Sequence, residues 1–259
     1  TTIFENMVLT GLRGVGKTVL LDTFKPMAIN QGWLWVGTDL SESASISETN
    51  LATRILADLS VLTSNIVIDR KQIPSIGFLN RSKEVDTRMG FDFLSNQFNK
   101  TPGLISDKLK NVLEFVWSIL KQTNTKGLIF AYDEAQNLSD QPAKDQYPLG
   151  ILLDVFQSIQ KKDIPFLLVL TGLPTLFPKL VESRTFAERM FRVVVLRRLK
   201  ENDSRDAILT PISDTKCPIK LSDESVDLIV RNSGGYPYFI QFICRETYDV
   251  FLSKIALGE

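Results

Sequence analysis

One short run near the start of the chain constrains the fold more than any other feature. An apolar stretch, residues 7–10, is followed by residues 11–18, which match the pattern G-x-x-x-x-G-K-[ST], and a helical pattern begins at Lys17. Glycines let a backbone turn tightly enough for several N–H groups to point at one anion. The N-terminal end of the following helix adds a partial positive charge. The run therefore predicts a strand, a phosphate-binding loop and a helix in direct succession.

Side chains of the same loop complete the predicted site. The Lys17 ammonium reaches the outer phosphates of a nucleotide as a point charge, and the Thr18 hydroxyl is a hard oxygen ligand for Mg²⁺. We therefore expect ATP as the ligand and Mg²⁺ as its counter-ion. The residues expected to line the nucleotide here are Gly11, Leu12, Arg13, Gly14, Val15, Gly16, Lys17, Thr18 and Val19.

Composition narrows the chemistry that such a site can perform. The chain has 259 residues, of which 44% are hydrophobic, so it can bury a large core. Thirty Lys and Arg residues balance thirty Asp and Glu residues, so no global charge attracts nucleic acid or a membrane surface. Histidine is absent, which excludes Ser-His-Asp catalysis, histidine zinc sites and a histidine general base. Phosphoryl transfer from a Mg-nucleotide needs only carboxylates, amines, hydroxyls and metal.

The sequence also predicts a compartment and a context. Cys217 and Cys244 lie in unrelated surroundings, which is typical of reduced thiols in a cytoplasmic protein. No apolar run approaches the roughly 20 residues that span a membrane, and nothing resembles a signal peptide. The chain opens barely one strand before the phosphate loop and stops after a helical stretch. We therefore expect further domains or partner proteins beyond it, and no membrane.

A second motif supplies acidic residues. Residues 127–132 are almost entirely apolar, as in a parallel strand buried on both faces, and they lead directly into Asp133 and Glu134. Ligands of open α/β sheets bind beyond the carboxyl ends of the strands, where these acids lie. Asp133 is predicted to hold Mg²⁺ through its waters. Glu134 is predicted to be the base that polarises the attacking water.

The hydrophobic pattern along the chain predicts an α/β fold with a doubly wound parallel sheet. Five strands are predicted, at 7–10, 33–36, 127–132, 166–170 and 192–196. Pro26 is expected to end or kink the first helix. Residues 63–104 are irregular in pattern and are interpreted as an insertion. We expect a core over 1–199, followed by three helices that form a small α-helical lid over 200–259.

Five motifs in order resemble one family of proteins. They are residues 11–18, Asp133-Glu134-Ala135-Gln136, Thr171-Gly172-Leu173-Pro174, Ala187-Glu188-Arg189 and Gly234-Gly235-Tyr236-Pro237-Tyr238. The series is similar to AAA+-type ATPases of the replication-initiator-related clade. It is most similar to bacterial "AAA ATPase domain" proteins, which grade into the signal-transduction ATPases with numerous domains. The resemblance implies that Lys17 and Thr18 contact phosphate and Mg²⁺. It also implies that Asp133 holds the metal and that Glu134 is the catalytic base. It further implies that Thr171 is a γ-phosphate sensor and Arg189 an arginine finger.

The predicted lid departs from the initiator pattern. Initiator-type ATPases usually offer an arginine to the γ-phosphate soon after a glycine, but residues 235–241 contain none and the next is Arg245. The stretch is instead similar to the Gly-x-Pro lid motif of signalling ATPases. That similarity implies that Pro237 packs near the base of the nucleotide. It favours slow turnover and switch-like behaviour over a fast motor.

Other classes of phosphate-loop protein fit less well. A GTPase carries N-K-x-D after the acidic strand, whereas residues 99–102 lack the Asp and precede it. A transporter ATPase carries Ser-Gly-Gly shortly before the acidic strand, whereas residues 233–235 lie far after it. Residues 133–136 resemble a helicase box, but the second RecA-like domain of a helicase, with its Arg-rich motif, does not follow them in this sequence. A small-molecule kinase usually lacks the paired acids and would not need this lid.

Two hypotheses about function follow. In the first, the chain is a nucleotide-driven ATPase switch in a larger signalling or defence protein, with homo-oligomers forming through the nucleotide sites. In the second, it is an initiator-like or nucleic-acid remodelling ATPase that assembles on DNA. Neutral net charge and the missing lid arginine favour the first. The basic run at residues 197–200 is the one feature that favours the second.

Overall fold

The computed structural model describes residues 5–43, 47–74, 82–213 and 217–257. Two short 3₁₀ turns, Ala135–Asn137 and Pro142–Lys144, lie in the connection that follows the fifth strand. The strands and helices in chain order are β1 (Asn6–Thr10), α1 (Lys17–Asn30), β2 (Trp33–Val36), α2 (Glu48–Thr63), β3 (Val67–Pro74), β4 (Ser82–Arg88), α3 (Phe91–Lys100), α4 (Ile105–Leu120), β5 (Gly127–Tyr132), α5 (Pro148–Gln160), β6 (Phe166–Gly172), α6 (Leu176–Ser183), α7 (Ala187–Met190), β7 (Phe191–Val195), α8 (Glu201–Ile212), α9 (Asp223–Ser233) and α10 (Pro237–Leu257).

A five-stranded parallel sheet forms the centre of the fold. Its strand order is β2-β5-β6-β1-β7, and every pairing in it is parallel. The first strand of the chain, β1, therefore lies between β6 and β7, which come much later in the chain. This arrangement is the predicted doubly wound sheet, and all five predicted strands are present. Its carboxyl ends bring the phosphate loop, Asp133 and Thr171 to one edge.

The two faces of the sheet carry separate apolar clusters. Along β5, Leu128, Phe130 and Tyr132 face the larger cluster, which includes residues of α2, α4 and α5, while Ile129 and Ala131 face α1. This alternation follows from the two-residue repeat of a strand. The Phe130 ring meets the Phe156 ring edge-on with centroids 5.0 Å apart. Burial of a side chain of this size contributes about 1.5–3 kcal/mol.

Residues 63–104 are more regular than their sequence pattern suggested. Strands β3 and β4 form an antiparallel hairpin, and helix α3 follows it. Met89 and Leu94 are fully buried in the larger cluster, so the end of this segment belongs to the core. The sequence pattern did not reveal these elements because single buried residues, spaced apart, give no visible period; that the segment is an insertion stays a prediction. Residues 75–81 lie outside the described part of the chain.

Helix α1 continues through Pro26 to Asn30, so Pro26 does not end it. The other expectation, a kink at Pro26, stays a prediction. Proline removes one amide donor from a helix, but packing can maintain the helix beyond it. Phe24 and Ala28, on either side of Pro26, both pack against the cluster on the α1 face of the sheet. The last turn is therefore held by tertiary contacts.

The last three helices pack around a cluster of their own. Ile208, Val226, Ile229 and Ile240 form its buried centre. The predicted helices of this region match α8, α9 and α10 closely, and α10 runs on to Leu257. Among the helices that the structure describes, none is both long and apolar enough to cross a membrane.

Candidate nucleotide site

The phosphate loop has the backbone geometry that its glycines allow. Gly14 and Gly16 have φ angles of 79° and 91°, in the left-handed region that favours glycine, and α1 begins directly after them at Lys17. A Cβ on Gly11 would lie 2.6 Å from the Leu196 carbonyl oxygen, so this position requires glycine for close packing. The loop therefore wraps the N-terminal end of α1, where a bound anion is favoured.

Lys17 lies inside this loop and is buried. Its Nζ atom donates hydrogen bonds to the carbonyl oxygens of Gly11 and Leu12, each at 3.0 Å. An ammonium has three donors, so one is left for a phosphate oxygen. Burial lowers the pKa of Lys17, an effect that the charges of Asp133 and Glu134 oppose and that of Arg13 reinforces. The backbone carbonyls of the loop thus hold the Lys17 side chain at the mouth of the loop.

The Asp133 carboxylate joins three parts of the sheet edge. It is buried at the end of β5 and accepts a hydrogen bond from the Thr18 hydroxyl at 2.5 Å. Its other oxygen accepts the backbone N–H of Glu134 at 2.8 Å and the hydroxyl of Thr171. Thr18 and Asp133 therefore present two hard oxygens side by side. Such oxygens suit Mg²⁺, which usually takes one or two carboxylates and completes its shell with water and phosphate.

Glu134 has an unusual backbone conformation for a side chain of its type. Its φ and ψ are 51° and 33°, in the left-handed region, and the residue is exposed. Residues held in this region by their surroundings are frequent at functional sites. The Glu134 carboxylate accepts a hydrogen bond from the side-chain amide of Gln136. The Glu134 carboxylate, directly after Asp133 in the chain, is thus accessible to water.

Thr171 occupies the end of β6, as predicted, and is fully buried. Its hydroxyl donates to Asp133, a contact that the sequence did not predict. The role of Thr171 as a γ-phosphate sensor stays a prediction.

Helix α10 contacts the phosphate loop directly. The backbone N–H of Tyr238, in the first turn of α10, donates to the Gly14 carbonyl oxygen at 3.2 Å. Pro237 is the first residue of that helix, and the Leu199 N–H donates to the Gly235 carbonyl at 2.8 Å. Pro237 therefore lies one residue from a direct loop contact. Its contact with a nucleotide base stays a prediction.

The three arginines near β7 have different surroundings. Arg184 forms a two-pronged ion pair with Asp154, with bonds of 2.9 and 2.8 Å, and this bond raises the pKa of Arg184. Arg189 and Arg192 are exposed. Arg189 lies just before β7, whose first residue pairs with Asn6 at the start of β1. It is therefore at the amino end of the sheet, one strand length, or about 16 Å, from the phosphate loop.

The remaining predicted loop residues differ in exposure. Val15 is buried, whereas Leu12 and Val19 are 54% and 63% exposed. Gln136 and Tyr238 both lie in the motifs given above, but the sequence predicted no role for either residue. The one signal in the sequence was that each lies close to a residue with a predicted role. Gln136 follows Glu134 by two residues, and Tyr238 follows Pro237 directly.

These observations define a class of fold. A parallel sheet in the order β2-β5-β6-β1-β7, with a glycine-rich loop after β1 and paired acids after β5, is an α/β P-loop NTPase core. No family model and no curated protein matches the chain.

Solved structures show the same fold. The Aeropyrum pernix ORC2 protein in ADPNP–ADP complexes matches with a TM-score of 0.58 and 12% identity, over 99% of this chain and 58% of that one. The Aeropyrum pernix ORC1 protein in complex with DNA matches with a TM-score of 0.51 and 16% identity, over 91% of this chain and 51% of that one. This chain thus spans about half the length of these structures. At this identity the likeness shows the fold alone, and the predicted resemblance to AAA+-type ATPases and their clade stays a prediction.

Proposed function

We propose that this chain is a Mg²⁺-dependent ATPase module that acts as a nucleotide-driven switch in a larger signalling or defence protein. The observation that carries the proposal is the convergence of Lys17, Thr18 and Asp133 at the carboxyl edge of the sheet. In this proposal residues 1–199 are the catalytic core and residues 200–259 the lid. The separate apolar cluster of α8–α10 supports that division.

The residues at the sheet edge suit hydrolysis of the terminal phosphate. The loop N–H groups and Lys17 would bind the phosphates. Thr18 and, through water, Asp133 would hold Mg²⁺, which offsets phosphate charge. Glu134 would take a proton from water as the water oxygen bonds to the γ-phosphorus. The bond to the β–γ bridging oxygen breaks, and ADP leaves with that electron pair, giving ADP and inorganic phosphate.

Two further residues would act at the γ-phosphate. Thr171, bonded to Asp133, is proposed as the sensor of that group. Arg189 is proposed as an arginine finger that offsets charge on a neighbouring subunit's γ-phosphate. Pro237 is proposed to pack near the base. Because residues 235–241 hold no arginine, we propose that turnover is slow.

Two substitutions test the proposal together. Lys17→Ala removes the charge that faces the outer phosphates and should abolish ATP affinity without unfolding the chain. Glu134→Gln keeps shape but removes the base, so this variant should bind ATP with hydrolysis lowered on the order of 10²–10⁴-fold. Titration with a fluorescent ATP analogue measures the affinity, and a phosphate-release assay measures the rate of hydrolysis. Wild-type affinity in Lys17→Ala, or undiminished turnover in Glu134→Gln, would contradict the assignment.

A second function has support of its own. The solved ORC1 structure that shares this fold is a complex with DNA, and Arg197, Arg198 and Lys200 are exposed at the entry to the lid. An ATPase that assembles on DNA would use such charges against the phosphate backbone. Its DNA affinity would then fall steeply as salt rises, and Arg197→Ala with Arg198→Ala would lower both the affinity and its salt slope. Absence of salt-dependent binding favours the switch.

A further inference from the structure

Gln136 is bonded both to the acidic motif and to the elements beside it. Its side-chain Nε2 donates to a carboxylate oxygen of Glu134, while its Oε1 accepts the Leu173 N–H at 3.0 Å. Its backbone carbonyl oxygen accepts a hydrogen bond from Lys179 Nζ at 2.9 Å. The residue thus links Glu134 to the end of β6 and to α6.

The neighbouring strand leaves room for this side chain. A Cβ on Gly172 would lie 2.6 Å from the Oε1 atom of Gln136 and 3.4 Å from its backbone nitrogen. Any larger residue would displace the amide, because real Cβ atoms essentially never approach so closely. Glycine at the end of β6 is therefore a condition for the bond between Gln136 and Leu173.

Glu134 needs such a partner. It is exposed, and an exposed carboxylate on a flexible side chain samples several rotamers. A general base is effective only when it is held within hydrogen-bond reach of the proton that it takes. Among the side chains that the structure describes, the Glu134 carboxylate has a recorded hydrogen bond with Gln136 alone.

We propose that Gln136 is a positioning residue that holds Glu134 in the orientation from which it activates water. The inference rests on the proposed ATPase function. The bond to the Leu173 N–H and the space left by Gly172 orient the Gln136 amide. The orientation of the Glu134 carboxylate therefore depends on the end of β6. Gln136 acts on the rate of hydrolysis through Glu134 and has no part in binding ATP.

Two substitutions separate the contacts of Gln136. Gln136→Glu keeps an acceptor for the Leu173 N–H but turns a second carboxylate towards Glu134. Gln136→Met keeps the length of the side chain and removes both bonds. In each variant kcat should fall about tenfold to a hundredfold, as expected for a misplaced catalytic group, while ATP affinity changes less than about twofold. Gln141→Glu, which adds the same charge to the same connection away from Glu134, should leave kcat unchanged.

A double-mutant cycle distinguishes positioning from a general structural effect. If Gln136 acts through Glu134, then Gln136→Met should change the residual rate of Glu134→Gln by less than about twofold. A merely structural role would lower the rate in both backgrounds alike. Gly172→Ala offers a second route, because its new Cβ displaces the Gln136 amide without changing the chemistry of Gln136, although it also presses on Leu176 Cδ2 at 2.9 Å. It should lower kcat with ATP affinity kept.

The outcomes separate this inference from the proposed function. Wild-type kcat in both Gln136 variants, or multiplicative losses in the cycle, would overturn the inference. A wild-type chain that binds ATP without hydrolysing it, or a Glu134→Gln variant with full activity, would instead overturn the ATPase assignment. If a Gln136 variant fails to bind ATP, its role is structural and the inference is wrong.

Discussion

At the scale of single residues, Asp133 organises the site. Its two oxygens accept bonds from Thr18, from the Glu134 backbone and from Thr171. A buried carboxylate without such donors would be costly, so each donor contributes to stability as well as to geometry. The same sheet edge holds a contrasting hydroxyl. The Thr10 Oγ1 atom is buried and has no hydrogen-bond partner among the described residues.

The two threonines allow a matched comparison. Thr171→Val keeps shape but removes a hydrogen bond to a charged group, which should lower the free energy of unfolding by about 1.5–3 kcal/mol. Thr10→Val replaces an unpaired buried hydroxyl with a methyl group and should be neutral or stabilising. Urea denaturation of both variants measures the difference. Equal losses in the two would show that the Thr171 bond to Asp133 contributes nothing specific.

At the scale of elements, the phosphate loop caps helix α10, which belongs to the proposed lid. The first N–H groups of a helix have no partner within it, and Tyr238 N–H finds one in the Gly14 carbonyl. The packing is close, since a Cβ on Gly14 would lie 3.0 Å from the Tyr238 Cβ. A change in the loop conformation is therefore transmitted directly to the start of α10.

Two glycines of the loop test this link. Gly14→Ala strains a left-handed residue and also presses on Tyr238, whereas Gly16→Ala strains a left-handed residue with no atom within 4 Å of the new Cβ. Both should lower the free energy of unfolding by about 1 kcal/mol or more. Only Gly14→Ala should speed hydrogen exchange of the first-turn amides of α10. Equal protection in the two variants would contradict a direct loop–lid link.

At the scale of the whole molecule, Arg189 lies far from the phosphate loop of its own chain. It stands at the amino end of β7, while the loop, Thr18 and Asp133 lie at the carboxyl edge. If Arg189 acts on a γ-phosphate as proposed, that phosphate therefore belongs to a neighbouring subunit. Head-to-tail contacts of that kind build rings or filaments.

This geometry predicts activity that depends on assembly. Specific ATPase activity should rise with protein concentration, and Arg189→Ala should lose hydrolysis while still binding ATP. Mixing Arg189→Ala with Glu134→Gln should recover activity, because some interfaces then pair an intact Glu134 with an intact Arg189. Arg192→Ala, at a second exposed arginine nearby, is the control and should behave as wild type. Concentration-independent activity together with an active Arg189→Ala variant would leave the chain a monomeric switch.

The sequence by itself determined the five strands of the sheet, the loop that carries Lys17 and the two acids that follow β5. All five strands were visible because parallel strands buried on both faces appear as short continuous apolar runs. The loop before α1 and the acids after β5 were visible because each is encoded within a few adjacent residues. These features depend on local spacing, which one sequence displays directly.

Only the tertiary structure decided which of these groups meet. Thr18 and Asp133 lie 115 residues apart and Thr171 and Asp133 lie 38 apart, and their contacts exist because the sheet order brings three strand ends together. The bond between Gln136 and Leu173 depends on the space left by Gly172, on another strand. Helix α1 continues past Pro26 because Ala28 packs on the sheet. Contacts between distant residues depend on strand order and side-chain packing, and neither leaves a periodic signal in a single chain.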